Sequence, residues 1–350
     1  MNILSIGSDR SILIPSSESA RRQIAYSQSF TEVNIIVFSR DVLQKKVMLA
    51  VGVHAYATNS TSRMWYGRDA FRIARRLPKP DIVTVQDPFE TGLIGWIIAR
   101  ARRSKFHVQI HTDFLAPEFH SGLNRVRALL ARFIVGRADR VRVVSYRMQE
   151  ALVKKGIRVP ITVLPIFVDI PKYADAHPGI LQSRYSHFTK RLVVVARLER
   201  EKNVMLALES FAKSMLDDPC LIIVGEGRER HALEKRAGKL GITERVFFEG
   251  KTDALPYYGL ADIVLVPSLF EGYGRVIIEA LAAHKPVLAT DVGIAREAGA
   301  IITDKEHFAD ALKDWFENGP ATGALQHYPY QSFEEYVAAY VADFSATGVK

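Results

Sequence analysis

The chain has 350 residues, more than one hydrophobic core usually organises, so two domains of roughly 150 residues are the first expectation. With 48% hydrophobic and 24% charged residues it reads as an ordinary globular protein, which excludes disorder. The single cysteine, Cys220, excludes a disulfide framework and a cysteine-based zinc site and suits a reducing cytoplasm.

The formal net charge of +9 is unevenly shared: residues 1–170 carry +13 and residues 171–350 carry −4. An anionic partner is therefore expected for the first half alone, against the plainer reading of an arginine-rich solvated surface.

MNILSIGSDR enters a strand and turns at Gly7, without the basic start and apolar core of a signal peptide. Further strands are expected at VNIIVF, DIVTV, FHVQI, RVRVV and ITVL, with helices near 18–29, 64–76, 90–103, 122–136 and 146–155 between them. The longest apolar stretches, such as TGLIGWIIA, are about half a bilayer span, so no crossing segment is expected. Asp169–Lys190 has no steady period and reads as an interdomain linker. The βα alternation then resumes with RLVVVA, CLIIVG, RVFFEG, DIVLVPS and KPVLAT.

The expected architecture is α/β, with two doubly wound Rossmann-like domains at 1–168 and 189–328, a hinge at 169–188 and a tail at 329–350. In the tail, Phe333, Tyr336, Val337, Tyr340, Val341 and Phe344 form one helical stripe behind a Ser332–Glu335 capping box.

In the first half, QDPFETG places Asp87, Glu90 and Gly92 after one strand, and HVQIHTDF places His111 and Asp113 after its neighbour. These positions lie at the sheet edge expected to face the second domain across a cleft, although loop histidines are more often structural; the family resemblance described below adds an acceptor-side reading for Asp87, Glu90 and Asp113. His107 and His111 lack a third ligand for a metal. In LNRVRALLARFIVGRADR, Val126, Leu129, Leu130, Phe133 and Ile134 share a face, with Arg125, Arg127, Arg132 and Arg137 around it. That pattern fits either a basic amphipathic helix on an anionic membrane or a core-packed helix with a solvated face.

In the second half, VVVARLEREKN puts Arg197 and Lys202 after a strand, where two cations can neutralise a diphosphate. LIIVGEGRER places Gly225 and Gly227 after the next strand without a dinucleotide fingerprint, and no Walker loop occurs. VFFEGKT brings Lys251 and Thr252 to a strand end where a base can sit. FEGYGRVIIEA then sets Glu271 in a glycine loop and Glu279 in the helix that follows. Backbone N–H groups of Tyr273, Gly274, Arg275 and Val276 at the helix start suit phosphate, and carboxylates accept from hydroxyls; the family resemblance described below extends this backbone lining to Gly272. The two glutamates therefore suggest a nucleotide sugar, with Glu271 on the sugar and Glu279 on the ribose; an Arg275–Glu279 surface ion pair is the plainer alternative. The chain has no Asp-x-Asp pair, the usual carboxylate grip on a metal–diphosphate, and no aromatic-interleaved basic motif for nucleic acid.

Taken in order, ARLEREKN, VGEGRERHALEKRAGKLGITERVFFEG and YYGLADIVLVPSLFEGYGRVIIEALAAHKPVLATDVG resemble the C-terminal domain of family 4 (group 1) retaining glycosyltransferases over about residues 190–295. IHTDF, RADRVRVVS and VLPIFVD are compatible with the family's first domain. The resemblance implies a GT-B fold of two facing domains and sugar transfer from a UDP- or GDP-sugar to a glycan or lipid-linked acceptor, without metal or cofactor and with retention at the anomeric carbon. It implies Arg197 and Lys202 on the diphosphate, Glu271 on the sugar, Glu279 on the ribose, Lys251 and Thr252 beside the base, and His111 facing the transferred sugar. It also implies that the tail helix crosses back to the first domain.

The loop SIGSDRSILIPSS lacks the family's glycine-rich turn, and PIFVD replaces its Asn-Gly, so acceptor contacts there do not carry over. A nucleotide-sugar epimerase, a sugar-phosphate synthase and a basic peripheral-membrane protein with a vestigial pocket are the competing readings. The expected location is cytoplasmic, at or near the inner face of a membrane.

Overall fold

A computed structural model describes residues 1–42, 44–120, 122–214 and 218–348. The chain divides into two compact units, one of Met1–Pro165 with Ser332–Lys350 and one of Ile166–Gln331.

The first unit is built on an eight-stranded sheet. Its strands are β1 (Asn2–Gly7), β2 (Glu32–Val37), β3 (Lys46–Ala50), β4 (Val53–Ala57), β5 (Ile82–Val85), β6 (Lys105–Ile110), β7 (Arg140–Val143) and β8 (Ile161–Val163), in the order β3-β4-β2-β1-β5-β6-β7-β8. β1, β2, β5 and β6 are buried along nearly their whole length, as parallel strands covered by helices on both faces must be. Helices Glu18–Ser27, Tyr66–Arg76, Glu90–Arg102, Asn124–Val135 and Tyr146–Lys154 lie where the periodicity predicts.

The hairpin β3–β4 has no counterpart among the strands expected from the sequence. KVMLAVGVHAYA looks like one apolar run, but Gly52 at φ +75° turns the chain and β3 pairs antiparallel to β4. Met48 and Val51 are left exposed on this edge.

The tail helix Phe333–Gly348 is part of the first unit. Tyr340 stacks on Tyr26 with centroids 4.4 Å apart, and Phe344 meets Phe30 edge-on at 5.5 Å. Ser332 Oγ accepts from the Glu335 N–H at 3.2 Å, the N-terminal half of the expected capping box. Beneath the helix, Asp343 Oδ2 lies 3.0 Å from His107 Nε2 and 3.8 Å from Arg142 Nε, all buried. The hydrogen-bond chain assigns the protons. Burial keeps the His107 imidazole neutral and the Asp343 carboxylate can only accept, so the ring proton sits on Nε2 and Nδ1 accepts from Thr84 Oγ1 at 2.8 Å, while Gln109 Nε2 donates to the same hydroxyl at 3.0 Å.

The second unit holds β9 (Arg191–Val195), β10 (Cys220–Val224), β11 (Val246–Gly250), β12 (Ile263–Val266), β13 (Val287–Thr290) and β14 (Ile301–Thr303), in the order β11-β10-β9-β12-β13-β14. All of its pairings are parallel. This is the doubly wound order of nucleotide-binding folds, with the topological switch point between β9 and β12. A core of Leu192, Val194, Phe211, Ile223, Leu265 and Phe308, among others, fills one side of the sheet.

The segment read as an interdomain linker, 169–188, is folded and belongs to the second unit. It forms helices Ile170–Ala174 and Leu181–Arg184, and it is pinned by isolated aromatic residues rather than by a periodic stripe. Tyr185 is fully buried and its hydroxyl donates to Glu249 Oε1 at 2.8 Å. Phe188 packs on Phe247 at 5.5 Å, and Tyr173 meets Tyr258 edge-on at 5.6 Å. Single anchors of this kind leave no period for a sequence reading to detect.

Candidate active site

At the switch point of the second sheet, two strands part and their exit loops converge, which is where open α/β sheets bind ligands. From β9 the chain passes Arg197 and a short turn at Arg200–Lys202, with Asn203 in the left-handed region at φ +49°. From β12 it passes Ser268 and Glu271 into the helix Arg275–Ala282. The loops are stitched together by Leu269 N–H donating to the Glu201 carbonyl at 2.8 Å.

Lys202 Nζ reaches Glu271 Oε1 at 2.5 Å, with side chains only 20% and 14% exposed. Ser268 Oγ donates to the same oxygen at 2.8 Å, and Thr290 Oγ1 fixes Ser268 by donating to its carbonyl at 2.6 Å. The sequence places Lys202 on phosphate and Glu271 on sugar; the structure makes them direct partners, so each orients the other. Arg197 is mostly exposed, and its guanidinium meets Glu201 at 2.9 Å.

Gly274 caps the helix at φ +93°, so the first N–H groups of the helix open at the end of the Glu271 loop. Gly272 and Tyr273 are buried, Arg275 is exposed and Val276 is partly so. The loop after β13 closes against this turn. A side chain at Gly293, φ +52°, would place Cβ 2.2 Å from the Tyr273 carbonyl and 3.2 Å from Glu271 Cβ.

Glu279 is buried at 7% exposure. The plainer alternative is present: Arg275 meets its Oε1 at 3.0 Å, and the fully buried Tyr258 hydroxyl donates to Oε2 at 2.7 Å. Loss of solvation first, then the nearby carboxylate, raises the Tyr258 phenol well above its ordinary range, so it stays a donor. Burial first, then the charge of Glu279, also raises the Tyr173 phenol above its ordinary range. Each carboxylate oxygen keeps a second lone pair for a further donor.

The glycines after β10 have a structural cause. A Cβ at Gly225, φ +144°, would lie 1.8 Å from the Ala196 carbonyl oxygen, and one at Gly227 2.2 Å from that of Leu198. Their missing side chains make room for the neighbouring β9 loop. Lys251 and Thr252 are exposed after Gly250.

In the first unit, His111 stands at the carboxyl end of β6 and is solvent-accessible, with Nε2 3.4 Å from Gln109 Oε1. The residues read with it as acceptor contacts are engaged locally. Asp113 accepts from the Leu115 and Ala116 N–H groups at 3.1 Å each, and Asp87 accepts from the Phe89 N–H at 2.9 Å. Loss of solvation raises both of these carboxyls above the ordinary range. Glu90 is held by Arg127 in a two-point pair, 3.1 Å on each side. Asp113 and Asp87 are loop-shaping caps, and Glu90 ties two helices together.

Sequence reasoning passed over Ser268, Thr290, Tyr258, Tyr173 and Gly293. The signals were faint: Ser268 and Gly293 end quoted strand motifs, but pairing across separate loops has no periodic trace.

Comparison with known proteins follows the same lines. The profile of "Glycosyl transferases group 1" matches residues 189–318, and that of "Glycosyl transferase 4-like domain" matches residues 26–166. The putative teichuronic acid biosynthesis glycosyltransferase TuaC of Bacillus subtilis is 28% identical over 218 residues, 61% of this chain and 54% of the relative. The alpha-monoglucosyldiacylglycerol synthase of Streptococcus pneumoniae is 26% identical over 229 residues, 60% and 51% of the two chains. The matched regions thus span about half the length of these relatives. Among solved structures, Anabaena Alr3699/HepE in complex with UDP-glucose superposes with a TM-score of 0.70 over 99% of this chain and 94% of that one, at 19% identity. With both profiles matched and each unit built as a Rossmann-like GT-B domain, the chain belongs to the group 1 glycosyltransferases.

Proposed function

We propose that the chain transfers a sugar from a nucleotide diphosphate donor, a UDP- or GDP-sugar, to a glycan or lipid-linked acceptor. The observation that carries this reading is the Lys202–Glu271 pair at the switch point of the second sheet, beside the open helix end at Arg275. A cation and helix N–H groups stabilise a diphosphate, while a carboxylate held by Lys202 and Ser268 accepts hydrogen bonds from sugar hydroxyls. Glu279 lies about one turn into the same helix for the ribose hydroxyls, with Lys251 and Thr252 beside the base. The UDP-glucose in the HepE complex and the names of the two relatives favour a UDP-sugar and a cell-surface glycan or lipid acceptor.

In the step, the bond from the anomeric carbon to the leaving phosphate oxygen breaks, and its electron pair departs with the diphosphate. Lys202, Arg197 and the helix end offset that developing charge without a metal. The acceptor hydroxyl oxygen bonds to the anomeric carbon on the same face, and its proton passes to the leaving phosphate oxygen, which gives retention. The test is incubation with UDP-glucose and candidate acceptors under a chelator, followed by NMR of the product anomer. An axial-donor sugar that stays axial supports the reading, whereas inversion or strict dependence on metal contradicts it.

A further inference from the structure

Parallel strands covered on both faces read as near-continuous apolar runs, and β6 does not. In FHVQIH, His107 and Gln109 alternate with Phe106, Val108 and Ile110, and all five are buried. With a side-chain period of two, His107, Gln109 and His111 share one face of the sheet, and Thr84 pairs in register with His107 from β5. The tail helix lies over that face, where its Asp343 reaches His107. A buried polar row costs desolvation that apolar side chains in the same places would not.

The row forms one hydrogen-bond chain, and the carboxylate at its inner end sets the direction of every link. Asp343 only accepts, so His107 Nδ1 is bare and takes the one hydroxyl hydrogen of Thr84. Thr84 Oγ1 then has no hydrogen left for Gln109 and must accept from its amide NH2 at 3.0 Å, which turns Gln109 Oε1 outward. That oxygen faces His111 Nε2 at 3.4 Å and, as an acceptor, assigns the His111 proton to Nε2.

In the neutral ring, Nδ1 of His111 is thus a bare lone pair, and among the described residues no donor meets it. Arg142, in register with Gln109 from β7, adds a positive charge that disfavours a second proton on either histidine. A network that served only to seat the tail helix could end at the His107–Asp343 pair. This one continues for three more links and ends on an exposed ring at the carboxyl end of β6.

We propose that Gln109 is a positioning residue for His111: held by the chain from Asp343, it fixes the His111 ring with its proton on Nε2 and leaves Nδ1 to accept from a substrate hydroxyl rather than to meet a carboxylate or phosphate. The use of that lone pair rests on the sugar-transfer reading, whereas the proton assignment stands without it. The test is proton–nitrogen NMR of the histidine rings in the whole chain at about pH 8, where an ordinary imidazole is neutral, with His111 assigned by His111→Asn. The parent should show a bare Nδ1 and a protonated Nε2. Gln109→Leu, of similar volume but without the acceptor, should move both signals toward the average of two exchanging tautomers. Thr84→Val, one link further in, should do the same to a smaller extent. Gln109→Glu keeps the acceptor and adds a charge, so it should hold the tautomer and raise the pH at which His111 titrates. In sugar transfer from UDP-glucose, Gln109→Leu should lower the rate about fivefold, and no further where His111 is already replaced by Ala. A protonated Nδ1 in the parent, His111 signals that neither Gln109→Leu nor Thr84→Val moves, or rate losses that simply add would overturn the proposal. If the parent transfers no sugar, the transfer reading fails while the NMR comparison still decides the role of Gln109.

Discussion

Lys202 and Glu271 sit in the loops that follow different strands, and their pairing makes each the support of the other. Replacing Glu271 with Ala would remove the proposed sugar contact and leave Lys202 largely buried without its carboxylate. Transfer should fall by about 10²–10³ or more, the cost of losing one oriented electrostatic group, while the thermal unfolding midpoint changes little. An undiminished rate would rule Glu271 out of the site. Ser268→Ala is a gentler probe, because it deletes one hydrogen bond to Glu271 worth about 1 kcal/mol. It should weaken donor binding several-fold in a titration with UDP-glucose and leave the fold intact; unchanged affinity would make Ser268 a bystander. At this scale the charged members of the site were legible because they sit at fixed offsets from strand ends. Ser268, Tyr258 and Tyr173 were not, because each acts across a gap of the fold rather than along the chain. Asp87 and Asp113 show the converse, that a carboxylate after a strand can as well cap its own loop, and Glu90 pairs with Arg127 of another helix.

Elements position these residues through backbone contacts that only glycine permits. Gly293 lies at φ +52°, and a methyl group there would collide with the Tyr273 carbonyl, so Gly293→Ala should push the Glu271 loop away from its partners. We expect a loss of about 2 kcal/mol or more in urea unfolding, combined with a loss of donor-induced stabilisation. Gly225→Ala meets the Ala196 carbonyl at a similarly forbidden distance and should destabilise the second unit by a comparable amount. If either variant is as stable as the parent, the loops are looser than their geometry states. Most strands and helices were legible from alternating apolar runs and helical stripes. The β3–β4 hairpin was hidden inside one apolar run, and the 169–188 segment was hidden because its anchors, Tyr173, Tyr185 and Phe188, are spaced without period.

At the scale of the whole molecule, the tail helix completes the first unit with polar as well as apolar contacts. Burial foremost holds His107 below its ordinary range, so the folded protein keeps it neutral while an unfolded chain would protonate it near pH 6.5. The unfolded state therefore binds more protons below that value, and stability should be full above about pH 6.5 and decline as pH falls through it. Hydrogen bonding from His107 and the charge of Arg142 hold Asp343 below the usual carboxylate range against its burial, so its share is lost only at still lower pH. Urea unfolding across this range should show the decline, and His107→Gln should flatten its upper part; a profile that is flat from pH 7 to 5 in the parent would contradict the buried neutral imidazole. The stripe of tail residues was readable in sequence, but the His107–Asp343 pair, 236 positions apart, was not.

The central claim is that the second unit carries a working nucleotide-sugar site. Thermal unfolding of the whole chain with UDP, GDP, ADP and their sugar conjugates, in the presence of a chelator, tests it most directly. A matching nucleotide at about a hundred times its dissociation constant should add close to 3 kcal/mol, and Glu279→Ala should lose much of that gain. Absence of a shift with every nucleotide, or a shift that Glu279→Ala leaves untouched, would contradict the assignment of this site.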